Sequence, residues 1–158
     1  MRTAASIVDV RRAGPEDAEI VLAMVREIAA EQGEVADVVS DLPTWTAMLA
    51  RPEVVVLVAV RDGVPVGYVS AVRRLHLWLG ADILALDDLF VREGYRDAGV
   101  GRLLMRELAV IADGMLIRWE MRKDDVAAQR FYRRLGATLR TKVIAFWSPA
   151  AQRAATDG

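Results

Sequence analysis

The stretch Val91-Arg92-Glu93-Gly94-Tyr95-Arg96-Asp97-Ala98-Gly99-Val100-Gly101-Arg102 joins an apolar run, Ile83 to Val91, to an amphipathic one. In the second run Val100, Leu104, Leu108 and Ile111 recur at helical spacing, Arg102 and Arg106 stand off that face, and Gly114 ends it. The reading is strand, glycine loop, helix. Such a junction makes an anion site, because free backbone N–H groups and the helix dipole converge on the helix start. Gly99 and Gly101 let the backbone approach a phosphate without a Cβ in the way. Arg96 and Arg102 add charge-assisted donors for a diphosphate. The other reading of the same residues is a tight strand-to-helix turn with solvated arginines. Gly-Lys-Ser/Thr is absent, so this is not a Walker A loop, and the third glycine of a dinucleotide fingerprint is missing.

Upstream, Ile7 to Arg12 reads as a strand, and Gly14-Pro15-Glu16-Asp17 opens a helix with Pro and acids at its positive end. Ile20, Met24 and Ile28 carry that helix to Gly33, with Glu31 at its end. A short helix from Pro43 to about Ala50 stops at Arg51-Pro52. Val54 to Val60 reads as a buried strand, Arg61-Asp62-Gly63 as a hairpin turn, and Pro65 to about Val72 as the return strand. A polar and aromatic stretch, Arg73 to Gly80, leads to the strand before the glycine loop. Downstream, Met115 to Met121 reads as a strand, Asp125 caps a helix over Val126 to Leu135, and Gly136 closes it. Val143 to Trp147 reads as a last strand, and the tail from Pro149 as frayed. The predicted order is β-α-α-β-β-β-α-β-α-β, one mixed α/β domain over residues 1–158 with its core at about 7–148.

Composition narrows the function classes. The chain has 158 residues, enough for one domain with a real core. Its formal net charge is −1, which argues against a general nucleic-acid binder or a polybasic membrane binder. There are no cysteines, so disulfides, Cys-ligated zinc, iron–sulfur clusters and a Cys nucleophile are excluded. The single histidine, His76, rules out a multi-His metal site, and no metal is expected. The longest apolar run, Val54 to Val60, is far short of the roughly 20 residues a membrane span needs. The stretch from Met1 to Asp9 meets charge before any signal-type apolar core, so a cytoplasmic protein is expected.

A second informative segment is Asp125-Val126-Ala127-Ala128-Gln129-Arg130-Phe131-Tyr132-Arg133-Arg134-Leu135-Gly136-Ala137. Ala128, Phe131 and Leu135 form its core stripe, and Tyr132 stands beside it. A lone Tyr there reads first as amphipathic packing. Together the two segments resemble the GNAT acetyltransferase superfamily over about Val8 to Trp147. Arg96-x-x-Gly99-x-Gly101 matches its acetyl-CoA loop, and the second segment matches its late Asn-x-x-Ala-x-x-Phe-Tyr-x-x-x-Gly helix, with Asp125 in place of Asn. Within that superfamily the chain is most similar to the spermidine/spermine and thialysine acetyltransferases. Their Leu-Glu-Asp-Phe-Phe-Val strand reads here Leu86-Asp87-Asp88-Leu89-Phe90-Val91, and Trp78-Leu79-Gly80 sits near their Trp-x-Gly. Asp87 replaces a longer Glu, which shortens its reach.

The resemblance implies the GNAT fold, a mixed, mostly antiparallel sheet flanked by helices, and acetyl-CoA as co-substrate. It implies cofactor contacts from Leu89, Phe90, Val91, Arg96, Asp97, Ala98, Gly99, Val100, Gly101, Arg102, Asp125 and Ala128. Acetylating an amine needs a proton acceptor, since an alkylammonium with a pKa near ~10 is no nucleophile. Consecutive acids in an apolar strand are unexpected, and strand alternation sends Asp87 and Asp88 to opposite faces. One of them is expected to face the site and accept the amine proton through water, with Asp87 preferred on the resemblance. The resemblance assigns carbonyl polarisation to a backbone N–H of Leu89 or Val91, and protonation of the departing thiolate to Tyr132. Glu31, Trp78 and Asp87 are the expected amine contacts. The expected reaction is direct transfer to a small-molecule amine (a polyamine, a diamine-like amino acid or an amino-antibiotic) in a homodimer. The alternatives are a protein N-terminal or lysine acetyltransferase, and a catalytically silent acyl-CoA sensor.

Overall fold

The computed structural model describes residues 6–157. Met1 to Ala5, on which most of the leader reading rests, lie outside the described residues. The chain divides into two compact units, with the boundary between Glu120 and Met121.

The N-terminal unit carries a five-stranded sheet in the order β1-β2-β3-β4-β5. Its strands are β1 (Val8–Arg12), β2 (Val54–Arg61), β3 (Val64–His76), β4 (Ala81–Val91) and β5 (Ile117–Arg118). The first three pairings are antiparallel and β4–β5 is parallel. Between β1 and β2 come α1 (Ala18–Gln32) and α2 (Leu42–Leu49), and α3 (Val100–Ala112) joins β4 to β5. This is the expected mixed, mostly antiparallel sheet flanked by helices.

Period-two alternation divides the sheet into two apolar faces. On one, Val56 and Val58 of β2, Tyr68 of β3 and Phe90 of β4 meet Val21, Met24 and Val25 of α1 and Leu49 of α2. On the other, Val55, Leu57, Ala59, Val69 and Ala71 are buried, and α3 packs across β1 to β4 with Val100, Leu104 and Leu108 buried. Each of the buried Val, Leu, Met and Phe side chains contributes about 1.5–3 kcal/mol by leaving water. Gly67 pairs with Val91, and a Cβ there would stand 2.5 Å from the Phe90 carbonyl oxygen. The close approach of β3 and β4 therefore depends on the missing side chain.

The turn into α1 is held by a charge. Arg11 donates from Nη1 to Asp17 Oδ2 at 2.8 Å and from Nη2 to Oδ1 at 2.7 Å, and the Gly14 N–H donates to Oδ2 at 2.9 Å. Asp17 is buried, and its hydrogen bonds with Arg11 hold its carboxyl below the ordinary range. Asp17→Ala is expected to cost about 2 kcal/mol in urea unfolding at neutral pH, because it strands the Gly14 N–H and removes a bidentate partner. A carboxyl whose folded pKa is lowered adds stability above its unfolded pKa and loses it as pH falls through the folded one. The gap between wild type and variant should therefore close in acid.

The C-terminal unit contains α4 (Val126–Arg134) and α5 (Pro149–Thr156). Three expectations are corrected here. The strand over Met115 to Met121 shrinks to Ile117–Arg118, the two residues that find ladder partners on β4. No strand forms over Val143 to Trp147, and Val143, Ile144, Phe146 and Trp147 are exposed. Apolar β-branched composition makes a strand only where another strand supplies its hydrogen bonds. The frayed tail is a helix: the Ser148 hydroxyl accepts from the Ala151 N–H at 3.2 Å, Pro149 fills the first turn, and an alanine-rich run follows. Among the described residues no helix is long and apolar enough to cross a membrane.

Candidate active site

The acid pair sits on an irregularity of β4. Ala71 pairs with Leu86 and Ser70 with Asp88, so the register skips Asp87. This is a β-bulge, with Asp87 as the extra residue. Counting from Ala85, which pairs with Val72, alternation puts Asp87 on the α1 face. Counting back from Phe90, which packs on that face, it puts Asp88 there too. The expectation of opposite faces is therefore corrected: an extra residue resets the alternation, and the two carboxylates share one face. Asp87 is exposed and Asp88 half-buried.

Asp88 is held from β3. The hydroxyl of Tyr68, a fully buried residue, donates to Asp88 Oδ2 at 2.9 Å, and the Asp88 N–H donates to Ser70 Oγ at 3.2 Å. Burial pushes the Tyr68 phenol far above its ordinary pKa, and the charges of Asp88 and Asp87 push the same way. Burial raises the Asp88 carboxyl, against the Tyr68 hydrogen bond that lowers it. Asp87 is raised by desolvation and by the charge of Asp88. Sequence reading missed Tyr68 and Ser70. Two polar residues at i and i+2 of an apolar strand share a face and need a partner, and that was the available signal.

Past Ala85, β4 has no ladder partner on β5 and runs on to Val91 paired with β3 alone. Backbone N–H groups alternate between the two edges of a strand. Asp88 N–H points to Ser70 on β3 and Arg92 N–H donates to the Val66 carbonyl of β3 at 2.8 Å. The N–H groups of Leu89 and Val91 therefore point to the edge that β5 leaves open.

The glycine loop follows. Gly94, Asp97 and Gly99 all have positive φ, and Gly99 precedes α3 at φ 82°. No side chain caps α3, and its first turn holds no acid. A helix start of that composition, with glycines at 99 and 101, fits an anion such as a diphosphate. Arg102 is exposed in the first turn of α3, and Ala98 is exposed in the loop. The Arg96 guanidinium is engaged elsewhere: Nε donates to the Val91 carbonyl at 2.8 Å, Nη2 pairs with Glu31, and Cζ lies 5.8 Å from the Phe90 ring centroid. One helical turn back, Glu27 accepts from Arg92 Nη2 at 2.9 Å, and Arg92 Nη1 donates to the Pro65 carbonyl at 2.9 Å. Two ion pairs thus tie α1 to the loop, and neither Glu27 nor Arg92 was singled out in the sequence.

Trp78 is 96% exposed at the tip of the β3–β4 hairpin. Six residue steps separate Ala81 from Asp87, about 20 Å of strand, so the structure does not bring Trp78 to the acid pair. Both strands run further than their sequence patterns predict, and the Arg73–Asp82 pair at 2.6 Å helps hold that extension. In the C-terminal unit, the Asp125 carboxylate caps α4 by accepting from the Ala128 N–H at 3.0 Å, as expected. Tyr132 is buried in α4, and its ring meets Phe131 edge-on with centroids 5.1 Å apart.

The model of the acetyltransferase (GNAT) family matches residues 22–137. No curated protein matches the chain. Among solved structures, it is similar to an aminoglycoside acetyltransferase from an uncultured soil metagenomic sample, with TM-score 0.77, 19% identity, and coverage of 89% of this chain and 95% of that one. It is similar to aminoglycoside N-acetyltransferase AAC(6')-Iy in complex with CoA, with TM-score 0.73, 18% identity, and coverage of 94% and 99%. It is also similar to ribosomal-protein-alanine N-acetyltransferase from Brucella melitensis biovar Abortus 2308, with TM-score 0.69, 19% identity, and coverage of 89% and 99%. At these identities the likeness is one of fold.

Proposed function

The chain belongs to the acetyltransferase (GNAT) family, and we propose that it moves an acetyl group from acetyl-CoA to a primary amine of a small molecule: a polyamine, a diamine-like amino acid or an amino-antibiotic. The observation that carries the amine is the bulge. Two carboxylates on one face of β4, beside an open strand edge, suit a cationic acceptor.

Acetyl-CoA supplies the activated thioester. The loop from Arg96 to Arg102 and the start of α3 hold its diphosphate with backbone donors. Leu89 or Val91 N–H donates to the thioester carbonyl oxygen. Asp87 binds the ammonium and takes its proton through water, and the freed amine lone pair forms the N–C bond as the C–S bond breaks. Tyr132 donates a proton to the thiolate, and the second proton shed by the acylated nitrogen passes through water to restore the phenol. With no cysteine to carry the acetyl group, transfer is direct. Glu31, neutralised by Arg96, is a weaker amine contact than its sequence position implied.

Thiol release from acetyl-CoA tests this across polyamines, thialysine, lysine, aminoglycosides and short peptides. Turnover confined to small amines is the expected result. Turnover only on peptides assigns a protein acceptor, and acetyl-CoA binding without turnover on any amine assigns a sensor.

The cofactor reading has its own check. Gly101→Asp places an anion in the first turn of α3 and is expected to raise the Kd for acetyl-CoA by about tenfold or more in calorimetry. Gly99→Asp should do the same, but at φ 82° it also strains the helix start, so the Gly101 variant is the cleaner one. Unchanged affinity in a folded Gly101→Asp protein would remove the loop from the cofactor site.

A further inference from the structure

We infer that Tyr68 is a positioning residue, whose buried hydroxyl clamps the Asp88 carboxylate as a fixed anion and leaves Asp87, the bulged neighbour, as the proton-accepting member of the pair. The inference rests on the proposed amine acetylation and divides the work of a site that otherwise has two interchangeable acids.

The geometry is asymmetric. Asp88 accepts from Tyr68 at 2.9 Å while its own N–H is tied to Ser70, so both its side chain and its backbone are fixed to β3. Asp87 is skipped by the ladder and exposed, and so it can reach water and a substrate. A fully buried phenol keeps its proton and acts as a standing donor, not as an acid that titrates. A donor on one carboxylate favours its charged form, and that charge makes its neighbour hold a proton more readily.

The other charged groups nearby are already occupied or set apart. On β3, Arg73 pairs with Asp82. Of Glu19, Arg26, Glu27 and Glu31 on α1, the last two pair with Arg92 and Arg96 of the loop. β5 carries Arg118, while Arg102, Arg106 and Glu107 belong to α3 on the opposite face.

Two variants test the clamp, one through each carboxyl. In Tyr68→Phe the ring stays and the donor goes, so Asp88 should ionise about one pH unit or more higher. The acidic limb of kcat/KM for the amine is set by Asp87 and should not rise with it, because a protonated Asp88 no longer raises its neighbour, while KM for acetyl-CoA stays within about twofold. In Asp88→Asn the neighbouring charge is gone, and the limb, now set by Asp87 alone, should move down. Carbon-13 NMR of labelled aspartate carboxyls reads both ionisations without turnover, and Asp88→Asn supplies the test if Tyr68→Phe does not fold.

An Asp88 titration that rises in Tyr68→Phe and an Asp87 titration that falls in Asp88→Asn support the clamp. Unmoved carboxyl titrations in either folded variant overturn it whatever the activity; an unmoved rate profile in Asp88→Asn overturns its role in the reaction, and a limb that rises in Tyr68→Phe makes Asp88 the proton acceptor instead. A wild-type protein that shows the titrations but acetylates no amine overturns the proposed function instead, and with it the catalytic half of this inference.

Discussion

Tyr132→Phe is expected to lower kcat by about 10²–10⁴-fold, the range in which a positioned proton donor contributes. The departing CoA thiolate needs a proton, and a phenol with a pKa near ~10 is a workable donor. The substitution keeps the ring that packs edge-on against Phe131, and α4 keeps its Asp125 cap. The Kd for acetyl-CoA should also hold, which separates a lost proton from a lost binding contact. Steady-state kinetics at saturating acetyl-CoA, with a thermal melt alongside, decides it. Near-normal turnover would return Tyr132 to a packing role.

Asp87→Asn is expected to produce a loss of comparable size that depends on pH. The amide keeps the size of the side chain and removes both the charge and the proton acceptor. Below the pKa of the amine nearly all substrate is ammonium, so the rate should fall by about 10²-fold or more near neutral pH. As pH approaches ~10 free amine is already present, and the gap to wild type should narrow. KM for a polyamine should rise more than KM for acetyl-CoA, since in the proposed reaction the Asp87 carboxylate pairs with the ammonium. A uniform loss across pH would instead mean that Asp87 only shapes the bulge.

The features legible in the sequence are the local ones. The glycine loop, the apolar stripe of α3 and the Asp125 cap each lie within a few residues of the group they act on, so spacing alone reports them. The bulge at Asp87 is a property of two strands in register, and nothing in Leu86-Asp87-Asp88-Leu89 announces that β3 will skip a residue. The Tyr68–Asp88 hydrogen bond spans twenty residues, and the Glu31–Arg96 pair spans sixty-five. Both depend on where the sheet and α1 bring the chain together. The Val143 to Trp147 misreading has a related cause, because composition describes the strand candidate and says nothing of its partner. The tail is different: Ser148-Pro149 followed by alanines is a local start signal, and terminal position was the wrong reason to discount it.

The proposed acetyl transfer to a small amine underlies each of these expectations. It is tested most directly by incubating the wild-type protein with carbonyl-labelled acetyl-CoA and a polyamine, then quantifying free CoA thiol and labelled N-acetyl product in the same sample. Equal amounts of thiol and labelled amide are expected, rising together with time and both strongly reduced in Asp87→Asn near neutral pH. Thiol without labelled amide, or no product from any amine while acetyl-CoA binds, would contradict it.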